Sequence, residues 1–529
     1  MKKSRWTKVE LVAKVGLAAA IAASLAACTS GGSKSSSYRA DESASNANSN
    51  SAPSAKQNEQ AAPAAGGSAS VQAQQSRVPA PGPVPPPPGG AYFKNYGTNP
   101  FIATEDDKLS TFAMDVDTGS YTVARNYIGQ GTLPPEEAVR AEEFVNYFRM
   151  EYPAPENGAF AILVDGGDSP FRSGYKLMRV GIKGKEIGTE ERKDANLTFV
   201  IDVSGSMGQE NRLELVKKSL KLLVDQLGPS DQIGIVTFGS TAKRALDQTM
   251  MKHKDRIVAA IDRLRTEGAT NAEQGLKLGY EMAQEYYKKD AANTIILCSD
   301  GVANVGAASA KTLLQSVQDY ARKGITLQTV GFGMGDYNDT LMEQLADKGD
   351  GRYAYVDSFT EARRLFADEL IGTVQTIARD AKVQVEFDPA KVDRYRLIGY
   401  ENRDVKDSDF RNDAIDAGEI GAGHSVTALY EVKLKNGDGS FGEVRLRYVD
   451  AALNKVVEQA APLRLGATLT ANTKFLAAVA EYAEIMRGSY WAKDVSLRTV
   501  LPVAEQAASG EQQLDFVRLL KDTLALRKE

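Results

Sequence analysis

Two cysteines, two histidines and two tryptophans in 529 residues rule out several chemistries at once. Two thiols cannot build a disulfide framework, and so few Cys and His side chains do not make a Cys/His zinc site. Neither histidine has a serine or cysteine partner in a nucleophile motif, so a catalytic triad has no support. Long apolar runs are missing too. The longest, Val15–Ala27, falls short of the roughly 20 residues a spanning helix needs. Basic excess is also absent. With 64 Lys and Arg against 69 Asp and Glu, the net charge is −5, and no clustered basic face marks a nucleic-acid binder. No Gly-x-x-x-x-Gly-Lys-Ser/Thr occurs, and Gly331-Phe-Gly-Met-Gly335 lacks the full spacing of a dinucleotide fingerprint. It reads as a glycine-rich turn after a buried strand.

What is present falls into several blocks, as expected of a chain too long for one core. Lys2, Lys3, Arg5 and Lys8 precede the short apolar run, which ends in Leu25-Ala26-Ala27-Cys28. This segment resembles a bacterial lipobox. The resemblance implies a signal peptide over 1–27, lipidation (palmitate) at Cys28, and membrane attachment through that N-terminal lipid. Thr29 and Ser30 follow with no aspartate. By likeness to Gram-negative lipoproteins, the expected location is the cell envelope, at the outer membrane in a Gram-negative host. From 28 to 90 the chain is Ser, Ala, Asn, Gln, Gly and Pro, too poor in apolar surface to fold. It reads as a tether, extended where prolines crowd between Pro79 and Pro88.

Order is expected from 91. The region 91–190 reads as α+β. It holds an alternating segment, Phe112–Thr118, then a helix over Pro135–Phe148 with proline and acids at its start, then strands over Phe160–Val164 and Lys176–Lys183. Asp115, Asp117 and Ser120 lack the later acid of a calcium loop and read as solvent-facing strand residues. Between 196 and 376 apolar strands (Leu197–Ile201, Gln232–Phe238, Thr294–Ser299, Thr326–Phe332, Tyr353–Val356) alternate with amphipathic helices. That pattern predicts a doubly wound α/β domain around a largely parallel sheet. Lys243–Leu246 reads as an antiparallel edge strand, and Cys298 as a small core residue. From 382 to 466 strands return: Val383–Phe387, Tyr395–Tyr400, Ser425–Leu434 and Glu443–Val449. The two strand-rich regions flank the α/β unit, so the expected architecture is one β-sandwich with the α/β domain inserted in it. The segment 467–529 reads as a helical tail packed on the body. His253 reads as solvated and His424 as a turn or capping residue.

Five oxygen-bearing side chains carry the functional signal. Asp202, Ser204 and Ser206 lie in Asp-Val-Ser-Gly-Ser, Thr270 in Gly-Ala-Thr-Asn, and Asp300 in Ser-Asp-Gly. Asp202 and Asp300 each close an apolar strand, and in an open parallel sheet such ends converge at a topological switch point. Hard oxygens with only two carboxylates suit Mg²⁺, held lightly and under-neutralised; Mn²⁺ accepts the same donors.

These motifs, in this order, resemble the von Willebrand factor A domain with its metal-ion-dependent adhesion site. The wider chain resembles the YfbK-like von Willebrand factor A lipoproteins of bacteria through Leu109–Tyr121, Leu133–Phe148, Gly331–Tyr355 and Leu397–Ala428. The resemblance implies that Asp202, Ser204, Ser206, Thr270 and Asp300 hold the metal, directly or through water. It departs from the usual Gly-Gly-Thr loop at Ala269. The expected function is a non-enzymatic, lipid-anchored module that binds a protein partner's Asp or Glu through Mg²⁺. A structural lipoprotein whose metal only stabilises it is the alternative, and a metal-dependent hydrolase comes last. The sequence does not identify the partner or the oligomeric state.

Overall fold

The computed structural model describes residues 91–528 apart from 189, 302–306, 335–336, 370–371, 373, 436–438 and 467. The 1–27 segment, Cys28 and the 28–90 tether lie outside the described residues. Strands β1 (Ile102–Ala103), β2 (Leu109–Ala113), β3 (Phe160–Asp168) and β4 (Lys176–Gly184) come first, with helices α1 (Gly119–Gly129) and α2 (Ala141–Tyr147) between β2 and β3. An alternating α/β unit follows: β5 (Ala195–Asp202), α3 (Arg212–Gln226), β6 (Gln232–Phe238), β7 (Ala242–Met250), α4 (Lys254–Arg263), α5 (Ala272–Glu285), β8 (Ala292–Ser299), α6 (Ala307–Ala321), β9 (Ile325–Phe332), α7 (Asp339–Lys348), β10 (Tyr353–Val356) and α8 (Phe359–Arg363). The chain then runs through β11 (Thr376–Phe387), β12 (Val392–Ile398), β13 (Gly418–Gly421), β14 (Ser425–Leu434), β15 (Gly442–Asp450) and β16 (Lys455–Pro462). It closes with α9 (Ala471–Met486), α10 (Leu497–Ala507) and α11 (Glu511–Arg527).

The α/β unit has a six-stranded sheet in the order β10-β9-β8-β5-β6-β7, parallel except for β7 on the edge. Every residue of β5 and β6 is buried, which is why these strands read as continuous apolar runs. Two cores cover the faces. Phe199, Ile201 and Leu220 lie in one, and Val200, Leu276 and Leu297 in the other. Cys298 is fully buried, and burial pushes its thiol well up, as befits an inert core residue.

Strands from before and after this unit share two further sheets. One runs β1-β12-β14-β4-β3; the other runs β13-β11-β15-β16, with β2 also paired to β11. Their apolar faces meet in a single core that includes Phe112, Met178, Val180, Val383, Val385 and Leu446. The α/β unit is therefore inserted into a β-sandwich. Helices α9–α11 pack with α2 around Phe144, Phe148, Phe475, Tyr482 and Phe516. Among the described residues no helix is long and apolar enough to cross a membrane.

Several expectations need correction. Asp115, Asp117 and Ser120 are buried, not solvent-facing. Ordered β2 stops at Ala113, and α1 begins at Gly119. Arg403 supplies the charge that allows this: its Nε donates to Asp115 Oδ2 at 2.9 Å and its Nη2 to Asp117 Oδ2 at 3.0 Å. Ser120 Oγ donates to the Ala138 carbonyl at 2.6 Å. Helix α1 escapes a pattern reading because its residues, Gly-Ser-Tyr-Thr-Val, are weak helix formers. Tertiary packing forms it, with Tyr121 and Ile128 in the helical core and Val123 in the α/β core. The helix expected over 135–148 is broken: a 3₁₀ turn at Glu136–Ala138 is separated from α2 by extended Val139 and Arg140. There the Arg140 amide donates to Ser120 Oγ, and its guanidinium reaches Glu143 and, at 2.6 Å, Asp339 Oδ2. His424 does sit in a turn, its amide donating to the Gly421 carbonyl. Its ring, however, is buried against Gly372, and burial with the nearby Arg352 charge lowers its pKa to about 3. His253 is exposed, as expected.

Half-buried arginines with buried acid partners tie the inserted unit to its frame. Arg403 also donates to Asp347 Oδ1 of α7 at 2.5 Å, and Arg125 of α1 grips Asp357 through two bonds of 2.5 and 2.7 Å. Removing one partner of a buried ion pair strands the other charges, at a cost of about 3–5 kcal/mol. Arg403→Ala should lose about that much in urea unfolding while a surface control such as Arg322→Ala changes little. The helical tail is joined similarly: Arg396 of β12 donates to Glu484 Oε2 at 2.8 Å and to Glu431 Oε2 at 2.9 Å. Burial would raise the Glu484 pKa, but Arg487 and Arg396 outweigh it and hold it at about 2 against an ordinary 4.5. A depressed carboxylate stabilises fully above its unfolded pKa and loses that contribution as pH falls toward 2. Glu484→Gln should therefore be less stable than wild type at pH 7, with the gap closing between pH 4.5 and 2.

Candidate functional site

In the central sheet the chain runs from β5 outward to β6 and then crosses to β8 on the other side of β5. The reversal falls between β5 and β8, and the crevice at their carboxyl ends is where loops diverge and ligands fit. Asp202 is the last residue of β5, and Asp300 follows β8 directly. Both are buried.

The Asp202 loop is folded around its own carboxylate. The Ser204 amide donates to Asp202 Oδ1 at 2.8 Å, and Ser299 Oγ donates to Oδ2 at 2.7 Å. Burial raises the Asp202 pKa to about 6; hydrogen bonding from Ser204 opposes this, and the Asp300 charge adds to it. Two carboxylates thus face one small volume. Ser204 and Ser206 turn the same way, their Oγ atoms 3.1 Å apart.

The Thr270 loop is pinned to the same place by backbone. The Glu267 amide donates to the Val203 carbonyl at 2.5 Å, and the Gly205 amide to the Gly268 carbonyl at 3.1 Å. Ser240 Oγ accepts from the Ala269 amide at 3.0 Å. Gly268 has φ +70°, and a Cβ there would lie 2.2 Å from Ser240 Oγ. The glycine is thus required by both conformation and space. Asp202, Ser204 and Ser206 are joined by direct contacts or immediate neighbourhood, Asp300 by the adjoining strand, and Thr270 by its loop. Gly205 is exposed, Ser206 and Thr270 are half-buried and Ser204 is buried with the two carboxylates, so the site meets solvent on its Gly205, Ser206 and Thr270 side.

This donor set fits a small hard cation. Adjacent ligands of an octahedral ion at about 2.1 Å stand about 3.0 Å apart, and the two serine hydroxyls are already at that separation. Soft-metal chemistry has no nitrogen or sulfur donor here; the nearest strand sulfur, Cys298, is a core thiol. Sequence reading passed over two contributors. Ser299 lies within the quoted Ser-Asp-Gly run, but only its contact with Asp202 reveals its role. Arg212 donates from Nη1 to Asp300 Oδ2 at 2.8 Å, and nothing in its own neighbourhood of sequence signals that. A cleft of about 450 Å³ lies elsewhere, lined by Asp115, Asp347, Arg403, Asp416 and Glu419 among others, and none of the five predicted residues lines it. Asp350, Asp416 and Glu419 gather near it, with Asp416 paired to Lys348 at 2.9 Å.

A six-stranded, mainly parallel sheet with these loops at its switch point is a von Willebrand factor type A domain, and the family model of that name matches residues 196–368. A model described as "von Willebrand factor" matches 88–179, and one described as "Uncharacterized protein YfbK, C-terminal" matches 372–465. The chain belongs to the YfbK family. It is 36% identical over 469 residues to YfbK of Escherichia coli (strain K12), covering 82% of this chain and 81% of that one. It is also 27% identical over 319 residues to the protein sll0103 of Synechocystis, covering 58% and 74%. Among solved structures, a von Willebrand factor type A protein from Catenulispora acidiphila is similar at 15% identity and TM-score 0.42, covering 71% of this chain and 91% of that one.

Placing a β-carbon in the left-handed region costs about 1–2 kcal/mol, and at Gly268 it also collides with Ser240. Gly268→Ala should lower thermal stability by at least that amount. Gly97→Ala shares the positive φ but has open space around the site, so it should lose less in the same melting experiment.

Proposed function

We propose that this protein is a lipid-anchored envelope component that captures a carboxylate of a partner protein through Mg²⁺ held by Asp202, Ser204, Ser206, Thr270 and Asp300, with no catalytic step of its own. The observation that carries the reading is the pair of serine hydroxyls 3.1 Å apart beside two buried carboxylates at the sheet's switch point. Two carboxylates fill only part of the six positions of a divalent ion, and hydroxyls add lone pairs without charge. The solvent-facing side of the site leaves a coordination position that an Asp or Glu from another molecule can take. A hydrolase would need a base beside the metal and an ion that acidifies its water; no histidine belongs to the donor set. Mn²⁺ would serve the same donors. Membrane attachment in this reading rests on the Cys28 segment.

Four measurements test it. Asp202→Ala should abolish Mg²⁺ binding by calorimetry while leaving the circular dichroism spectrum intact. A pull-down from envelope membranes should recover a partner with wild type in Mg²⁺, and lose it in chelator or with Asp202→Ala. If the partner persists in chelator, the metal is structural only. Because the Asp202 pKa is raised to about 6, protons compete with the cation below that value, and Mg²⁺ affinity should fall as pH drops through 6. Cys28→Ser should lose metabolic labelling by a palmitate analogue and release the protein from membranes.

A further inference from the structure

Arg212 is 4% exposed and begins α3, the end of a helix where the macrodipole disfavours a cation. Something must compensate. Its Nη1 donates to Asp300 Oδ2 at 2.8 Å, its Nη2 reaches Glu210 Oε2 at 3.3 Å and the Met334 carbonyl at 3.4 Å, and its buried Nε has no hydrogen-bond partner. The seat is shaped for a guanidinium. Gly333 has φ +86°, and a Cβ there would lie 2.1 Å from Nε. The arginine therefore links the loops that follow β5, β8 and β9 at their carboxyl ends.

Resting on the metal reading above, we infer that Arg212 is a resident counter-ion of the metal site, which weakens cation binding and raises selectivity for an anionic partner. The charge arithmetic is short. Asp202 and Asp300 bring two negative charges and Arg212 one positive, while Glu210 is 62% exposed and its charge is screened by solvent, so the buried cluster carries −1 in its ionised form. A divalent ion makes it +1, and a carboxylate then neutralises it. Without Arg212 the loaded site would already be neutral, the cation would bind tighter, and the pull on an incoming acid would weaken. Asp300 keeps its second oxygen for the cation or for a water on it, since the guanidinium occupies Oδ2.

The test uses the full chain in detergent and Mn²⁺ as the probe, followed by electron paramagnetic resonance, with wild type, Arg212→Gln and Arg212→Lys. A unit charge acting on a divalent ion several ångströms away through a water-like medium corresponds to about tenfold in affinity. Arg212→Gln should bind Mn²⁺ about tenfold tighter than wild type, and Arg212→Lys should stay within about threefold. Acetate carries half the charge of the ion, so titrated onto the Mn²⁺-loaded protein it should bind the Gln variant about threefold more weakly. Arg212→Gln should also melt lower in chelator and regain more stability on adding Mn²⁺ than wild type does. If wild type binds Mn²⁺ and the Gln variant binds no tighter, the counter-ion role is overturned and the metal site stands. If neither binds, both fall. A Gln variant that folds only with Mn²⁺ is the extreme form of the expected result. One that fails to fold in either condition overturns the proposal, because the cation then does not stand in for the guanidinium.

Discussion

Two carboxylates, Asp202 and Asp300, end neighbouring parallel strands and are both buried at one crevice. Much of the local structure answers that constraint. Hydroxyl and amide donors from Ser204 and Ser299 take both oxygens of Asp202, and Arg212 takes one oxygen of Asp300. Neutral donors do little to cancel charge, which is why burial still lifts the Asp202 pKa. The result is a pre-arranged, incompletely compensated anion pair rather than a satisfied core cluster.

The frame around the α/β unit works by a related principle, with several acids gathered on each arginine. Arg403, Arg140 and Arg125 each hold two or more carboxylates away from water, and the acids they hold come from both the inserted unit and its flanks. Helix α7 offers Asp339, Glu343 and Asp347 to this seam. Planar, permanently charged guanidinium groups suit such multidentate pairing better than lysine would. The orientation of the inserted unit is thus specified by directional bonds as well as by apolar contact.

Much of this was legible from the residues. Asp202 and Asp300 stood out because each closes an apolar run that could only be a buried strand, and Ser425–Leu434 reads as the strand it is. Local pattern failed where distant partners decide the outcome. Helix α1 has weak intrinsic propensity and forms because two cores flank it. Asp115 and Asp117 looked solvent-bound because their neutralising arginine is nearly 290 residues away. Strand β16, half-exposed along its whole length, carries little alternation to read and gains its place from pairing with β15. Arg212 was invisible as a site residue because its partner is 88 positions downstream.

The interleaving of early and late strands bears on how the chain is made. Lys382 of β11 pairs with Ala113 of β2, and Tyr430 of β14 with Met178 of β4. Neither sheet can close until the polypeptide has been synthesised well past the α/β unit. A growing chain therefore carries β2, β3 and β4 with open edges while the inserted unit can already collapse on its own parallel sheet. Such late-closing, long-range topology is slow and prone to mispairing until the last strands arrive.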